Sequence, residues 1–160
     1  MEPLITLTAV TLGVRAAGAL GARRLASWPV ALRGGLAAMF LLTAGAHFIG
    51  KRDELVAMVP PALPAPELLV TVTGLLEAAG ALGLLYRPTT PWAAAGLTAM
   101  LLGMFPANVY KAAEGLSNDF TDQLVPRTMM QLIFLAATVT VTVHYIRARR
   151  ATPSRTDRNP

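Results

Sequence analysis

The chain has 160 residues, 54% of them hydrophobic and 14% charged, with mean hydropathy +0.50 and a formal net charge of +5. Soluble domains run at roughly 25% charged residues; the deficit here is gathered into five long apolar runs, the signature of a membrane bundle. There is no cysteine, which excludes disulfides, thiol relays and iron–sulfur ligation. Two histidines in separate runs do not make a transition-metal site.

The runs are Leu4–Ala22, Trp28–Ile49, Glu67–Tyr86, Pro91–Ala112 and Leu124–Ile146, each near the ~20 residues that cross a bilayer as a helix. The expected fold is therefore all-α: a single transmembrane helical bundle over residues 1–146, then a basic tail, 147–160, read as disordered and cytoplasmic. Arg15 interrupts the first run. Glu2 precedes that run and Arg23 and Arg24 follow it, the order of a signal anchor with its amino terminus outside rather than of a cleaved signal peptide.

Trp28-Pro29 opens the second run with an interfacial aromatic and a helix-starting proline. After Gly50, Asp53 reads as the N-cap of a short interfacial helix carrying Leu55, Val56, Met58 and Val59. Prolines 60, 61, 64 and 66 then predict a stiff, extended segment over the bundle. Gly74, Gly80 and Gly83 in the third run, and Ala95, Gly96, Ala99 and Gly103 in the fourth, mark faces where helices approach closely. Pro106 leaves the Leu102 carbonyl without its helical donor, close to Asn108.

Charge sets the topology. Arg23, Arg24, Arg33, Arg87, Arg147, Arg149, Arg150, Arg155 and Arg158 face a single acid, Asp157. In the alternate loops Lys51, Arg52, Lys111 and Arg127 are outweighed by Glu2, Asp53, Glu54, Glu67, Glu114, Asp119 and Asp122. The positive-inside rule puts the first set in the cytoplasm, so five spans leave the amino terminus outside and the carboxyl terminus inside. The basic pI is thus a topology signal and does not point to nucleic acid. Twelve Arg to two Lys, with abundant Ala, fits a GC-rich bacterial genome, and the expected location is the bacterial inner membrane.

Glu77 sits in the middle of the third run, where a carboxylate costs ~2.5–3.5 kcal/mol on insertion scales. At ~1.5 Å per residue it lies ~15 Å deep, Arg15 ~16 Å and Gln131 ~10 Å, and the matched depths predict an Arg15–Glu77 ion pair. His47 and Asn108 are shallower. Arg127 and Gln131, four residues apart, share a face that Thr138, Thr142 and Tyr145 continue inward; His144 is read as interfacial. The candidate polar site is His47, Glu77, Asn108, Arg127 and Gln131, with no metal. A structural tether and a proton or ligand role for Glu77 stand side by side.

Four segments, AGAHF (44–48), VPPALPAPELLV (59–70), TGLLEAAGALGLL (73–85) and FPANVYKA (105–112), occur in the order and spacing of a known family. Over about residues 30–146 the chain resembles the DoxX-like family of small bacterial membrane proteins. The resemblance implies a four-helix core with polar positions at His47, Glu77, Asn108 and Gln131; Leu4–Ala22, and with it Arg15, is an addition. Some relatives are linked to a quinone-reducing, thiosulfate-oxidising complex or to oxidative-stress assemblies, others look like assembly factors. The leading expectation is an accessory subunit of a quinone-linked membrane oxidoreductase or oxidative-stress complex. It would not be catalytic by itself: the chain has no cofactor of its own, a quinone would bind among the polar groups, and electrons would come from a redox partner protein. The alternatives are a non-catalytic membrane scaffold or assembly factor, and a small-molecule or proton transporter.

Overall fold

The computed structural model describes residues 1–114 and 123–151. Asp119 and Asp122, and the tail beyond 151 with Arg155, Asp157 and Arg158, lie outside the described residues. Among the described residues six α-helices follow one another: α1 (Glu2–Ala19), α2 (Trp28–Ala46), the short α3 (Arg52–Ala57), α4 (Pro66–Leu85), α5 (Thr90–Ala113) and α6 (Leu124–Arg150). Among the described residues there is no strand. α1, α2, α4 and α5 each open with proline in the first two helical positions, where its missing N–H has no helical partner to lose and its φ is already helical.

Two local expectations need correcting. Lys51, not Asp53, is the N-cap of α3, and Asp53 falls with Glu54 inside the first turn, where the helix dipole favours acids. The proline-rich stretch after α3 is turned rather than extended. The Leu63 N–H donates to the Pro60 carbonyl at 2.9 Å, with Pro61 at the second turn position that its fixed φ suits, and Ala65 takes a left-handed φ of 51° just before Pro66. Residues 147–150, assigned from sequence to the tail, continue α6.

α2, α4, α5 and α6 are each long and apolar enough to cross a membrane. α1, which carries Glu2 and Arg15 within its 18 residues, is not among them. α4 packs between α2 and α5, α5 against α6, and α6 returns to α2; α1 lies along α2, and α3 against α4. α1 and α2 are antiparallel, Leu7 and Thr11 lying against Gly35 and Gly18 against Ala26. A Cβ on Gly35 would sit 2.7 Å from the Leu7 carbonyl oxygen, so only glycine permits this approach.

Polarity is distributed inside out. Leu75, Leu76, Leu82, Trp92, Leu102 and Leu132 are exposed, while His47, Glu77, Thr90, Gln131 and Thr138 are buried. A multi-pass membrane bundle has this pattern, because lipid solvates the apolar exterior and polar side chains must find partners within. An apolar plug of Leu36, Phe40, Leu84, Leu97 and Val141 fills one half of the bundle. Its end, here the basic end, is tied shut. Thr89 and Thr90 donate to the Gly83 and Leu84 carbonyls at 2.7 and 3.1 Å, satisfying acceptors that the end of α4 leaves open. Arg33 lies over the Tyr145 ring at 5.5 Å and reaches Thr90 at 3.5 Å, and Arg149 donates to the Pro88 carbonyl.

Candidate functional site

α2 and α6 meet toward the basic end, where Arg33 covers Tyr145. At the opposite end a cavity of about 950 Å³ lies between them, lined by α2 from Leu41 onward, α3, α5 and the first half of α6. His47, Glu77, Asn108, Arg127 and Gln131 all line it. The five residues that the sequence singles out thus come from four helices to one place. Leu55, Met58, Met104, Met130 and Phe134 supply apolar walls, and Met1, Glu2 and Pro3 border it from α1. Leu41 and Leu42, 42% and 44% exposed, carry the lining onto the apolar exterior.

One polar wall is built from α2 and α4. Thr43 and His47 are four residues apart, so they stack on one face of α2. Gly74 admits them to α4: a Cβ there would meet the His47 Cβ at 2.6 Å. The Thr43 hydroxyl lies 2.6 Å from Glu77 Oε2 and 3.2 Å from its own helix's Phe40 carbonyl. His47 Nδ1 is 2.9 Å from the Thr43 carbonyl and 3.9 Å from Glu77 Oε2. A carbonyl can only accept, so Nδ1 carries a proton and Nε2 is the ring's remaining polar atom.

Thr43 has one proton and two acceptors. With Glu77 ionised, the hydroxyl donates to the carboxylate. With Glu77 protonated, the acid can donate to Thr43, which then donates to Phe40. Glu77 can therefore gain or lose a proton without orphaning a neighbour, which suits proton exchange in a low-dielectric interior.

The facing wall comes from α5 and α6. Arg127 Nη1 donates to Asn108 Oδ1 at 2.6 Å, Asn108 Nδ2 to Gln131 Oε1 at 3.3 Å, and Gln131 Nε2 to the Leu101 carbonyl. A donor-only guanidinium at one end and an acceptor-only carbonyl at the other fix the orientation of both amides. The acceptor that Gln131 uses is one residue before Leu102, the carbonyl that Pro106 deprives of its helical donor.

The Arg15–Glu77 pair does not form. The matched depth expected from the sequence is not found: Thr11 lies against Gly35 and Gly18 against Ala26, which sets Arg15 beside the start of α2, whereas Glu77 lies beside Thr43 toward its other end. α1 packs on α2 and not on α4, and the Arg15 guanidinium lies 4.8 Å over the Trp28 ring, a cation–π contact. Glu77 finds Thr43 and His47 instead. The expected polar wall along α6 is also interrupted: Thr138 and Thr142 bond to carbonyls of their own helix, and Tyr145 belongs to the apolar plug. His144 is exposed.

Several residues escaped the sequence reading. Thr43 could have been found from its spacing to His47. Lys111, read as a loop cation, is only 2% exposed, and Glu54 of α3 pairs with it. Arg52 donates to the His47 carbonyl at 3.2 Å and to Thr71 Oγ1 at 3.0 Å, capping α2 with a cation and holding α3 to α4. Together these contacts roof the cavity with α3. Among the described residues no cluster of His, Asp and Glu is arranged to hold a metal ion.

Among curated proteins and solved structures nothing matches the chain. A family match covers residues 36–142, from within α2 into α6, and so takes in the four-helix ring and its cavity but not α1. By that match the chain belongs to the family described as Domain of unknown function, DUF8561.

Proposed function

We propose that this protein is a membrane-embedded subunit that binds a lipid-soluble quinone between α2 and α6 and serves a redox partner that supplies the electrons. The observation that carries the reading is the cavity itself. Its ~950 Å³ suits a small-molecule head group, for which pockets span roughly 300–1,000 Å³. It combines apolar walls with a few convergent polar groups, and its exposed leucines lead to the exterior where a lipid-soluble ligand would arrive. Asn108 and Gln131 supply amide donors for carbonyl oxygens, and Glu77 supplies a group able to exchange a proton. The resemblance to DoxX-like proteins supports the same reading. The placement proposed is a bacterial inner membrane with the cavity end outward and the arginine-rich end cytoplasmic. α1 is not among the helices long and apolar enough to cross by themselves, and the fifth crossing proposed for it rests on its ~27 Å of helix laid antiparallel along α2.

The alternative, a scaffold or assembly factor, draws support from α5, where a Cβ on Gly96 or Gly103 would meet only open space, room for a partner helix. A transport path is less well supported, because the apolar plug of Phe40, Leu97 and Val141 stands below the cavity.

The test is to recover the protein in native-lipid nanodiscs, identify bound molecules by mass spectrometry, and titrate it with a short-chain ubiquinone and its quinol. Binding weakened at least tenfold by Asn108→Leu, with helical content unchanged, is expected. No co-purifying quinone and no binding of either form, with a membrane protein co-purifying instead, would sink the quinone reading in favour of the scaffold.

A further inference from the structure

The two polar walls differ in kind. On the α5–α6 wall the hydrogen-bond chain runs one way, from Arg127 through Asn108 and Gln131 to the Leu101 carbonyl. An amide nitrogen has two protons. Asn108 uses one on Gln131 and Gln131 uses one on Leu101, so this wall has amide N–H donors left to offer. The α2–α4 wall is the reverse. His47 Nδ1–H is spent on the Thr43 carbonyl, which leaves the lone pair of Nε2 in the neutral ring. The Thr43 hydroxyl has a choice of two protein acceptors already. Glu77 Oε1 has no hydrogen-bond partner among the described residues while Oε2 takes Thr43 and faces His47. This wall therefore offers acceptors.

A ligand that satisfies both walls must accept on one side and donate on the other. A quinone has only carbonyl acceptors. Set against His47 and Glu77, it would leave their lone pairs desolvated and unpaired, and a site built to bond a hydroxyl strongly rejects the analogue lacking one. A quinol, or a phenol that carries a second ring oxygen, donates through one hydroxyl and accepts at the other oxygen. We infer that the cavity is specific for a hydroxyl-bearing head group with a second ring oxygen, a quinol or an oxygen-substituted phenol, with its donor on His47 and Glu77 and its acceptor oxygen on Asn108 and Gln131. This inference rests on the quinone-site reading and adds to it which redox form is held and by which wall.

The experiment is equilibrium binding to the full chain in lipid nanodiscs, under anaerobic conditions, of a short-chain ubiquinol and of the same molecule oxidised. The quinol should bind at least tenfold more tightly. Glu77→Gln and His47→Phe should each bring that ratio below about threefold chiefly by weakening the quinol, whereas Asn108→Leu should weaken both forms alike and preserve the ratio. Circular dichroism and gel filtration establish that each variant is folded, and the near-isosteric Glu77→Gln stands in if His47→Phe is not. Equal or tighter binding of the oxidised form to the unmodified protein overturns the inference and leaves the quinone site intact. Binding of neither form overturns both. A ratio unchanged in folded Glu77→Gln overturns the assignment of the donor to that wall.

Discussion

At the basic end α2 and α6 are in contact across Arg33 and Tyr145, with Phe40, Leu97 and Val141 packed behind them. At the other end the same two helices line a cavity, and the side chains between them are Thr43, His47, Arg127 and Gln131. One pair of helices thus builds both a sealed plug and an open pocket. The difference lies in what each half does with polar groups. Behind the basic rim, where Arg33, Thr89 and Thr90 tie the helix ends together, the threonines that α6 brings to the plug, Thr138 and Thr142, satisfy themselves on their own backbone, so neighbouring helices can close on apolar surface. In the cavity half the groups are too polar to satisfy themselves and reach across: Glu77 to Thr43, Gln131 to Leu101, Arg127 to Asn108. Bonds between α2 and α4, and between α5 and α6, hold each pair together and leave the space between the pairs open.

This contrast can be broken at either half. The largest stability effect should come from the plug. Phe40→Ala removes a side chain that is 1% exposed and should cost about 3–5 kcal/mol in reversible unfolding from mixed micelles, with quinol affinity unchanged in the protein that remains folded. Next, Gly74→Val drives a branched side chain into His47 and separates α2 from α4. Overpacking of this kind costs about 1–3 kcal/mol, and quinol binding should fall with it because His47 and Thr43 are displaced.

Gln131→Leu removes a second bond from the Leu101 carbonyl and leaves one Asn108 donor unpaired, about 1–3 kcal/mol of stability, and should weaken quinol and quinone alike. Its counterpart in the plug, Thr138→Val, loses only bonds within its own helix and should change stability by less than about 1 kcal/mol. Equal costs for the two would remove the distinction between the halves. The smallest effect should come from Arg15→Ala, which gives up a cation–π contact worth about 0.5–1 kcal/mol at an exposed site and leaves the Glu77 environment untouched. An Arg15→Glu, Glu77→Arg double exchange should therefore fail to rescue expression.

The helices themselves were legible in the sequence, because span length, proline starts and the basic loops are one-dimensional signals. The residues that line the cavity also stood out there, because a Glu, His, Asn, Arg or Gln in or beside an apolar run has few reasons to be there. What the sequence withheld was how the helices dock, both which helix each face meets and at what level. Counting residues from Leu4 put Arg15 level with Glu77, yet α1 packs along α2 with Arg15 beside Trp28 toward the basic end, while Glu77 lies beside Thr43 toward the cavity end. Thr43 went unnoticed because threonine is unremarkable in a helix until a carboxylate lies beside it. Lys111 and Glu54 read as loop charges because nothing local says that α3 folds back over the bundle to pair them. The polarity of the two walls was not visible either, since the direction of an amide depends on partners far away in the chain.

The chain has no cysteine, so single cysteines can be placed without background. The most direct measurement is the labelling of Met130→Cys in the cavity and Val141→Cys in the plug by a lipid-soluble maleimide, with and without saturating short-chain ubiquinol. Met130→Cys should react readily and be protected by the quinol, while Val141→Cys should remain unreactive in both conditions. Equal reactivity at the two positions, or labelling of Met130→Cys that the quinol does not slow, would contradict a ligand cavity confined to one half of the bundle.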